Sequence, residues 1–343
     1  MAPAYKRGRF DFCVVVVLFC SSALLLAVFG CRRPHPKPIS CRDARAILVG
    51  DVHGCRQELQ ILLRRVQFNA LCDSLYFLGD VIGKGPNSIE ALRDVRSLML
   101  ASTGVHSLMG NHEAGFLRWL DARAAGTPLP PTSNELDRKK WAATLSPDEI
   151  AWLRERPLQL ALPSQFGRVL AVHAGMRPGL PPALQTRDDL LTIRSLLPNG
   201  TGSALPGRPG PRGGWAAAWK GPEHLIFGHD ARRKLQRHPF ATGLDSGVVY
   251  GGRLTALVLQ IRNATSAAPS MLYGGHLLQV GAHPGSCARK TQAPAGRTGK
   301  SRGRGNSQAA TKGSGSGSRH GPRGRARKEA KRQRASFGMV EED

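Results

Sequence analysis

The sequence predicts an α/β fold, and three observations carry that prediction. Apolar β-forming runs alternate with amphipathic helical segments across the first half of the folded region. Shorter alternating strands follow with few helices between them, which adds a second sheet. With 343 residues, the chain is long enough to bury a sizeable core.

The first element is apolar. "FCVVVVLFCSSALLLAVFG", residues 12–30, holds nineteen residues without a charge. That is close to the roughly 20 needed to cross a bilayer as a helix. A cleavable signal has a shorter apolar run of about 7–15 residues. The reading is therefore a basic flank over 1–11 and a transmembrane anchor over 12–31. Lys6, Arg7 and Arg9 precede the run, and Arg32, Arg33 and Lys37 follow it, so flanking charge does not orient it. "RRPHPKPIS" cannot continue a helix, because its three prolines lack the donor a helix needs. It reads as a linker within residues 32–43.

The folded domain is placed at 44–263. "RAILVGD" reads as a strand, and "CRQELQILLRRVQF" as a helix with Leu59, Leu62, Leu63 and Val66 on one face. "SLYFLGD" is a strand and "VIGKGP" a loop. "NSIEALRDVRSLML" is a helix with Asn87 at its N-cap. "GVHSLMGN" and "HEAGFLRWL" are the next strand and helix. Residues 121–146 are polar and read as an insertion or lid. "SPDEIAWLRERP" carries a capping box, with Ser146 as N-cap and Glu149 three residues on. "LQLALP" and "RVLAVHAG" form a hairpin, "GTGSALPGRPGPRGG" an excursion, and "HLIFGHD" and "GRLTALVLQI" two more strands. Residues 264–343 read as a low-complexity, disordered tail.

The formal net charge is +25. Residues 289–343 hold fifteen Lys or Arg against four acids. Such a surplus favours polyanionic partners, whether nucleic acid, polyphosphate or an anionic membrane surface. The tail has few aromatics among its cations, which argues against base stacking and for a salt-sensitive, non-specific tether. Seven cysteines, an odd number with no CxxC pair, give no expectation of a disulfide framework or a thiolate zinc site. Two sequons, at Asn199 and Asn263, would suit a luminal domain.

Chemistry concentrates at strand ends. "ILVGDVHG" projects Asp51 and His53. "FLGD" ends in Asp80, "LMGNHE" in Asn111, "LAVHAG" in His173 and "LIFGHD" in His229. Strand ends on one sheet edge converge in space, where α/β sheets place their sites. Two carboxylates, three imidazoles and an amide oxygen, with no thiolate, suit a pair of divalent ions such as Mn, Fe or Zn. Asp80 can bridge them. Two such ions clamp the attacking and leaving oxygens of a phosphoryl displacement. Any one of these motifs alone is more often a turn or a rim residue; the ordered set is what points to metal.

With "GDVHG", "GDVIGKG", "GNHE", "HAG" and "GHD" in this order, the sequence resembles the calcineurin-like metallophosphoesterases of the phosphoprotein phosphatase superfamily. The resemblance implies a β-sandwich of two mixed sheets flanked by helices. It implies that Asp51, His53 and Asp80 hold one metal, and that Asp80, Asn111, His173 and His229 hold the other. His112 would be the general acid. Protein phosphatases of the superfamily carry GDxVDRG, and here Gly83 and Lys84 replace its second Asp and its Arg. The Asp partner of His112 is thus missing. Lys84 offers a point charge in place of a bidentate fork. "GKGP" and "ATGLDSGVVYGGRLTALVL" look like the symmetrical diadenosine-tetraphosphatase branch, the ApaH-like phosphatases, near which zinc-dependent vacuolar endopolyphosphatases also stand. Lys84, Arg194 and Asp245 are candidate substrate contacts, and Lys84 and Arg194 would also stabilise developing charge. The expectation is a membrane-anchored, two-metal phosphoanhydride hydrolase. Polyphosphate is favoured over dinucleoside polyphosphates, and RNA caps or phosphoproteins are the alternatives. A vacuolar or other endomembrane lumen is the expected location, with the cytoplasm as alternative.

Overall fold

The computed structural model describes residues 16–20, 23–27, 41, 44–127, 129–130, 135–205, 214–260, 275–283 and 287. The chain divides into two units, Met1–Arg42 and Asp43–Asp343. In the first, β1 (Val16–Cys20) and β2 (Ala23–Ala27) pair antiparallel. The described residues of the expected membrane helix over 12–31 are these two strands, and nothing else in this unit bears on that expectation. β-branched valines favour strand over helix, and no helix among the described residues is long and apolar enough to cross a membrane. The linker after this pair, Asn263 and the basic tail from 288 onward lie outside the described residues.

The second unit contains two five-stranded mixed sheets. One is built from β3 (Arg45–Val49), β4 (Ser74–Phe77), β5 (Val105–Ser107), β13 (Arg253–Gln260) and β14 (His276–Gly281), in the order β14-β13-β3-β4-β5. The other is built from β6 (Gln159–Ala161), β7 (Val169–Val172), β10 (His224–Phe227), β11 (Gln236–His238) and β12 (Ala241–Gly243), in the order β11-β12-β10-β7-β6. β3, β4 and β5 run parallel, as do β7, β10 and β12. The short pair β8 (Ser195–Leu196) and β9 (Gly202–Ser203) stands apart.

Strand periodicity explains the layers. Successive side chains point to opposite faces. On β3, Ala46 and Leu48 join the layer between the sheets, with Tyr76, Val169, Ala171, Ile226, Leu257 and Leu259. Ile47 and Val49 face outward with Leu75, Phe77, Leu59, Leu62 and Val66. Leu59, Leu62 and Val66 belong to α1 (Arg56–Val66), whose apolar stripe was legible from its spacing. α2 (Ser88–Ala101) contributes Ala91 and Val95 to the same layer. α3 (Asn111–Ala124), α4 (Glu135–Thr144) and α5 (Pro147–Arg154) pack around Phe116, Trp119, Trp141 and Leu153. α6 (Arg187–Thr192) and α7 (Trp215–Ala218) cover the outer face of the second sheet through Leu190, Trp215 and Ala216. The expected capping box at α5 is present, with Ser146 accepting from the Glu149 N–H and Glu149 from the Ser146 N–H. Asn87 holds the N-cap position of α2 without a side-chain cap bond.

Two findings depart from the sequence reading. β14 pairs with β13 over six register positions, from Arg253 with Gly281 to Val258 with His276. The sheet therefore continues beyond residue 263. "HLLQVG" is short and follows a polar stretch, so its period gave little signal. Cys55 and Cys287, 232 residues apart, form a disulfide, and Cys41 and Cys72 are also disulfide-bonded. Spacing alone did not reveal them, because disulfide partners meet through the fold rather than through local sequence.

Candidate metal centre

Each chemical side chain sits where a strand has just ended, and the backbone there is unusual. His53, Asp80 and His229 all have left-handed backbone, with φ of 48°, 50° and 67°. This region is sparsely populated by residues other than glycine, and such conformations cluster at functional sites. The neighbouring glycines admit close approach. A Cβ at Gly110 would fall 2.1 Å from Asp80 Oδ1, and one at Gly228 would fall 2.1 Å from Asp51 Oδ1.

The side chains converge. His53 Nε2 lies 3.6 Å from Asp80 Oδ2 and 3.8 Å from Asp51 Oδ2. On the other side of Asp80, its Oδ1 is 3.5 Å from His173 Nε2. Asn111 Oδ1 lies 3.0 Å from His173 Nε2 and 2.9 Å from His229 Nδ1. Two buried donor groups result, His53–Asp80–His112 and Asp80–His173–His229, and Asp80 belongs to both. The His112 ring meets the His53 ring edge-on, with centroids 4.7 Å apart.

The imidazoles are oriented from behind. His53 Nδ1 faces the Ile82 carbonyl at 3.3 Å, His173 Nδ1 the Leu78 carbonyl at 2.8 Å, and His229 Nε2 the Thr192 carbonyl at 3.1 Å. A carbonyl fixes the proton on that nitrogen and leaves the opposite one with its lone pair free to ligate. Asp51 Oδ1 accepts from the His229 N–H and Asp80 Oδ1 from the His112 N–H, both at 2.9 Å.

Glu113 is a residue to which the sequence reading gave no role. Its buried carboxylate accepts from the backbone N–H groups of Asp80, Ile82 and Gly110, each at 2.9 Å. It thus pins the loop bearing Asp80 to the start of α3. The signal was its place three residues into a helix, the capping position that reaches back to the preceding turn.

Burial sets the charge states. It pushes Asp51 and Asp80 well above the ordinary carboxylate range, with repulsion from Asp245 adding at Asp51 and from Glu113 at Asp80. It pulls His53 down to about 3 and His173 to about 4. His112 and His229 are pulled well below their ordinary value, again chiefly by burial. The Lys84 ammonium adds to the effect on His53 and His112, and the Arg194 guanidinium to that on His173 and His229. The two cations thus act on opposite halves of the cluster. Asp51 Oδ2 and Asp245 Oδ2 are buried with no hydrogen-bond partner. A bare buried carboxylate oxygen is costly unless a cation meets it. Neutral imidazoles, carboxylates that a bound cation would hold ionised, and no thiolate make a donor set that fits two divalent ions.

The remaining candidates have definite places. Lys84 donates to the Tyr250 hydroxyl, and its ammonium lies beyond that hydroxyl, 5.0 Å from the ring centroid. Arg194 Nη1 donates to the Ala204 carbonyl at 3.1 Å, and its Nε is buried without a partner. Asp245 is buried, and its Oδ1 accepts from the Gly247 N–H at 3.0 Å. Arg138, buried on α4 within the expected lid, adds to the positive field on His112. At Gly83 a Cβ would fall 2.2 Å from His53 Nδ1, so the aspartate of the protein phosphatases has no room here.

Residues 44–251 match the family model of the calcineurin-like phosphoesterases, and the chain belongs to that family. It is therefore a metallophosphoesterase, a metal-dependent hydrolase. It is 35% identical to a protein of solved structure provisionally assigned as a diadenosine tetraphosphatase. That match has a TM-score of 0.56 and covers 70% of this chain and 95% of that one. It is also similar to the symmetrical bis(5'-nucleosyl)-tetraphosphatases of Actinobacillus succinogenes, 41% identical over 130 residues, and Pectobacterium atrosepticum, 36% identical over 150. Those matches cover 38% and 43% of this chain and 44% and 50% of the relatives. The chain thus spans about half the length of the curated relatives it matches.

Proposed function

We propose that this chain hydrolyses the phosphoanhydride bonds of dinucleoside polyphosphates at a centre of two divalent ions. The observation that carries the reading is Asp80, shared between two buried donor groups, one with His53 and His112 beside the Lys84 charge and the other with His173 and His229 beside the Arg194 charge. Asp51, His53 and Asp80 would hold one ion, and Asp80, Asn111, His173 and His229 the other. Bound there, the ions supply Lewis-acid activation of water and of the phosphoryl group. The chain's own residues do the rest. Lys84 and Arg194 hold non-bridging oxygens and balance the charge that develops on them. His112 would be the general acid at the departing phosphate oxygen, a role that requires the anionic substrate to raise its proton affinity, since burial alone holds it neutral. Asp245, a buried carboxylate, balances the cations of the centre rather than touching an anionic substrate. The nucleotide-ended substrate is preferred to inorganic polyphosphate because of the likeness to tetraphosphatases.

The location we infer is an oxidising compartment. Disulfides persist in lumenal and extracellular settings and are rare in the cytosol, and Cys55–Cys287 closes across the catalytic domain. Asn199 is exposed in a turn and open to glycosylation. Such a location separates the enzyme from capped messenger RNA.

The full chain, loaded in turn with Mn, Co and Zn, is tested on diadenosine tetraphosphate, inorganic polyphosphate, capped RNA and a phosphoserine peptide. The expected result is turnover of diadenosine tetraphosphate to two ADP, abolished by Asp80→Asn. Turnover of the peptide or the cap alone would overturn the reading. A glycan on Asn199 after expression in a secretory host supports the lumenal placement, and a reduced Cys55 in the native host contradicts it.

A further inference from the structure

Tyr250 is left unexplained by the metal centre. It ends a short 3-10 turn, Val248–Tyr250, whose two valines are buried. Gly247 and Gly251, with φ of 75° and 86°, bracket the turn in left-handed backbone. The reversal holds Tyr250 out at 60% exposure, among the few large apolar side chains so exposed in the described residues. The two residues before it, Val248 and Val249, anchor the turn in the core. It is also next to the chemistry. The Tyr250 hydroxyl accepts from Lys84, the Lys84 ammonium lies off the hydroxyl end of the ring, 5.0 Å from its centroid, and leaves the ring faces uncovered, and the turn begins three residues after Asp245.

A lysine bound only to a neutral hydroxyl in this contact keeps N–H donors for a phosphate. An aromatic ring held outward on a fixed turn offers a flat apolar face. The two together fit a molecule with an anionic phosphate chain joined to a flat heterocycle. We propose that Tyr250 is the nucleobase platform of this enzyme: the base of the substrate stacks on its ring while the adjoining phosphates reach Lys84 and the metal centre. This deepens the proposed function and rests on it. It assigns the preference for nucleotide-ended over inorganic polyphosphate to one side chain. The bland alternative is that Tyr250 only steadies Lys84.

Three variants separate these roles. Tyr250→Leu removes the ring, Tyr250→Phe removes only the hydroxyl, and Tyr250→Trp enlarges the platform. The readout is the ratio of kcat/KM for diadenosine tetraphosphate to kcat/KM for inorganic tetraphosphate, measured on the metal-loaded full chain. Loss of one base–aromatic stack corresponds to about 5- to 150-fold. Tyr250→Leu is expected to lower the ratio by that amount, chiefly through KM for the nucleotide. Tyr250→Phe and Tyr250→Trp are expected to hold it within about twofold, even where the loss of the hydroxyl slows both substrates. Diguanosine tetraphosphate should follow diadenosine tetraphosphate, since stacking tolerates any base. An equal fall for both substrates in Tyr250→Leu would overturn the platform and leave a positioning residue. So would a ratio that falls in Tyr250→Phe as far as in Tyr250→Leu. Turnover of both substrates by the parent chain with an insensitive ratio refutes the platform alone. Turnover of neither refutes the proposed function and the platform with it.

Discussion

Replacing Glu113 by glutamine tests how the Asp80 loop is held. The carboxylate accepts three backbone N–H bonds through two oxygens, Oε2 from Asp80 and Gly110 and Oε1 from Ile82. A glutamine can present its carbonyl to the first pair. Its NH2 then faces the Ile82 N–H, donor against donor. One buried N–H loses its acceptor, which costs about 1–3 kcal/mol, and the two bonds that remain lose their charge assistance. Against this, removing the negative charge relieves repulsion on Asp80, since Glu113 is its largest influence after burial. The net expectation is a loss of about 2 kcal/mol, or a fall in Tm of about 4–8 °C for a domain of this size. The same loop presents the shared ligand, so metal affinity should fall by about 10- to 100-fold. Denaturant unfolding of the oxidised, metal-free chain measures the first quantity, and competition with a chromophoric chelator measures the second. An unchanged unfolding midpoint together with unchanged affinity would show that Glu113 does not position Asp80.

Other expectations follow from the same geometry. Cys287→Ser opens the Cys55–Cys287 bridge, which spans 232 residues, and should cost about 2–5 kcal/mol in oxidising buffer and nothing once a dithiol has reduced the parent chain; equal stability in oxidising buffer would contradict it. A chain ending at residue 263 loses β14 and its six register pairs with β13, and with both chains fully reduced, so that the lost Cys287 bridge does not count, should unfold at lower denaturant than the full chain; an unchanged midpoint would show that the edge strand adds nothing. His224 is buried with Nε2 2.9 Å from Thr242 Oγ1, and burial lowers it from the ordinary 6.5 to about 4. The unfolded chain then binds the proton at this residue first, so the contribution of His224 to stability should be level above about pH 7 and fall by about 3 kcal/mol as pH drops to about 4. His224→Gln should flatten that part of the profile, and an unchanged slope in unfolding curves across the window would refute the assignment.

Much of the site was legible because metal chemistry restricts residue type and strand ends restrict position. The apolar runs before Asp51, Asp80, His173 and His229 marked the strands, and the glycines beside them marked the close approaches now seen at Gly110 and Gly228. The left-handed backbone of His53, Asp80 and His229 was not legible, since it is imposed by the packing of the loops rather than by local preference. Glu113 passed unassigned because its partners are backbone amides, which leave no mark on the sequence. Tyr250 carried no periodic signal, and its meaning lies in a contact with Lys84, 166 residues away in the chain. The apolar run over 12–30 was read by length as a helix, and its described residues 16–20 and 23–27 pair as strands.

The central claim is that Asp80 joins two ions in one centre. Elemental analysis of the purified full chain after equilibration with Mn and gel filtration tests it most directly. The account predicts two ions per chain, falling below one in Asp80→Asn while the variant keeps the parent's circular dichroism. A single ion in the parent chain, or two retained by a folded Asp80→Asn, would contradict it.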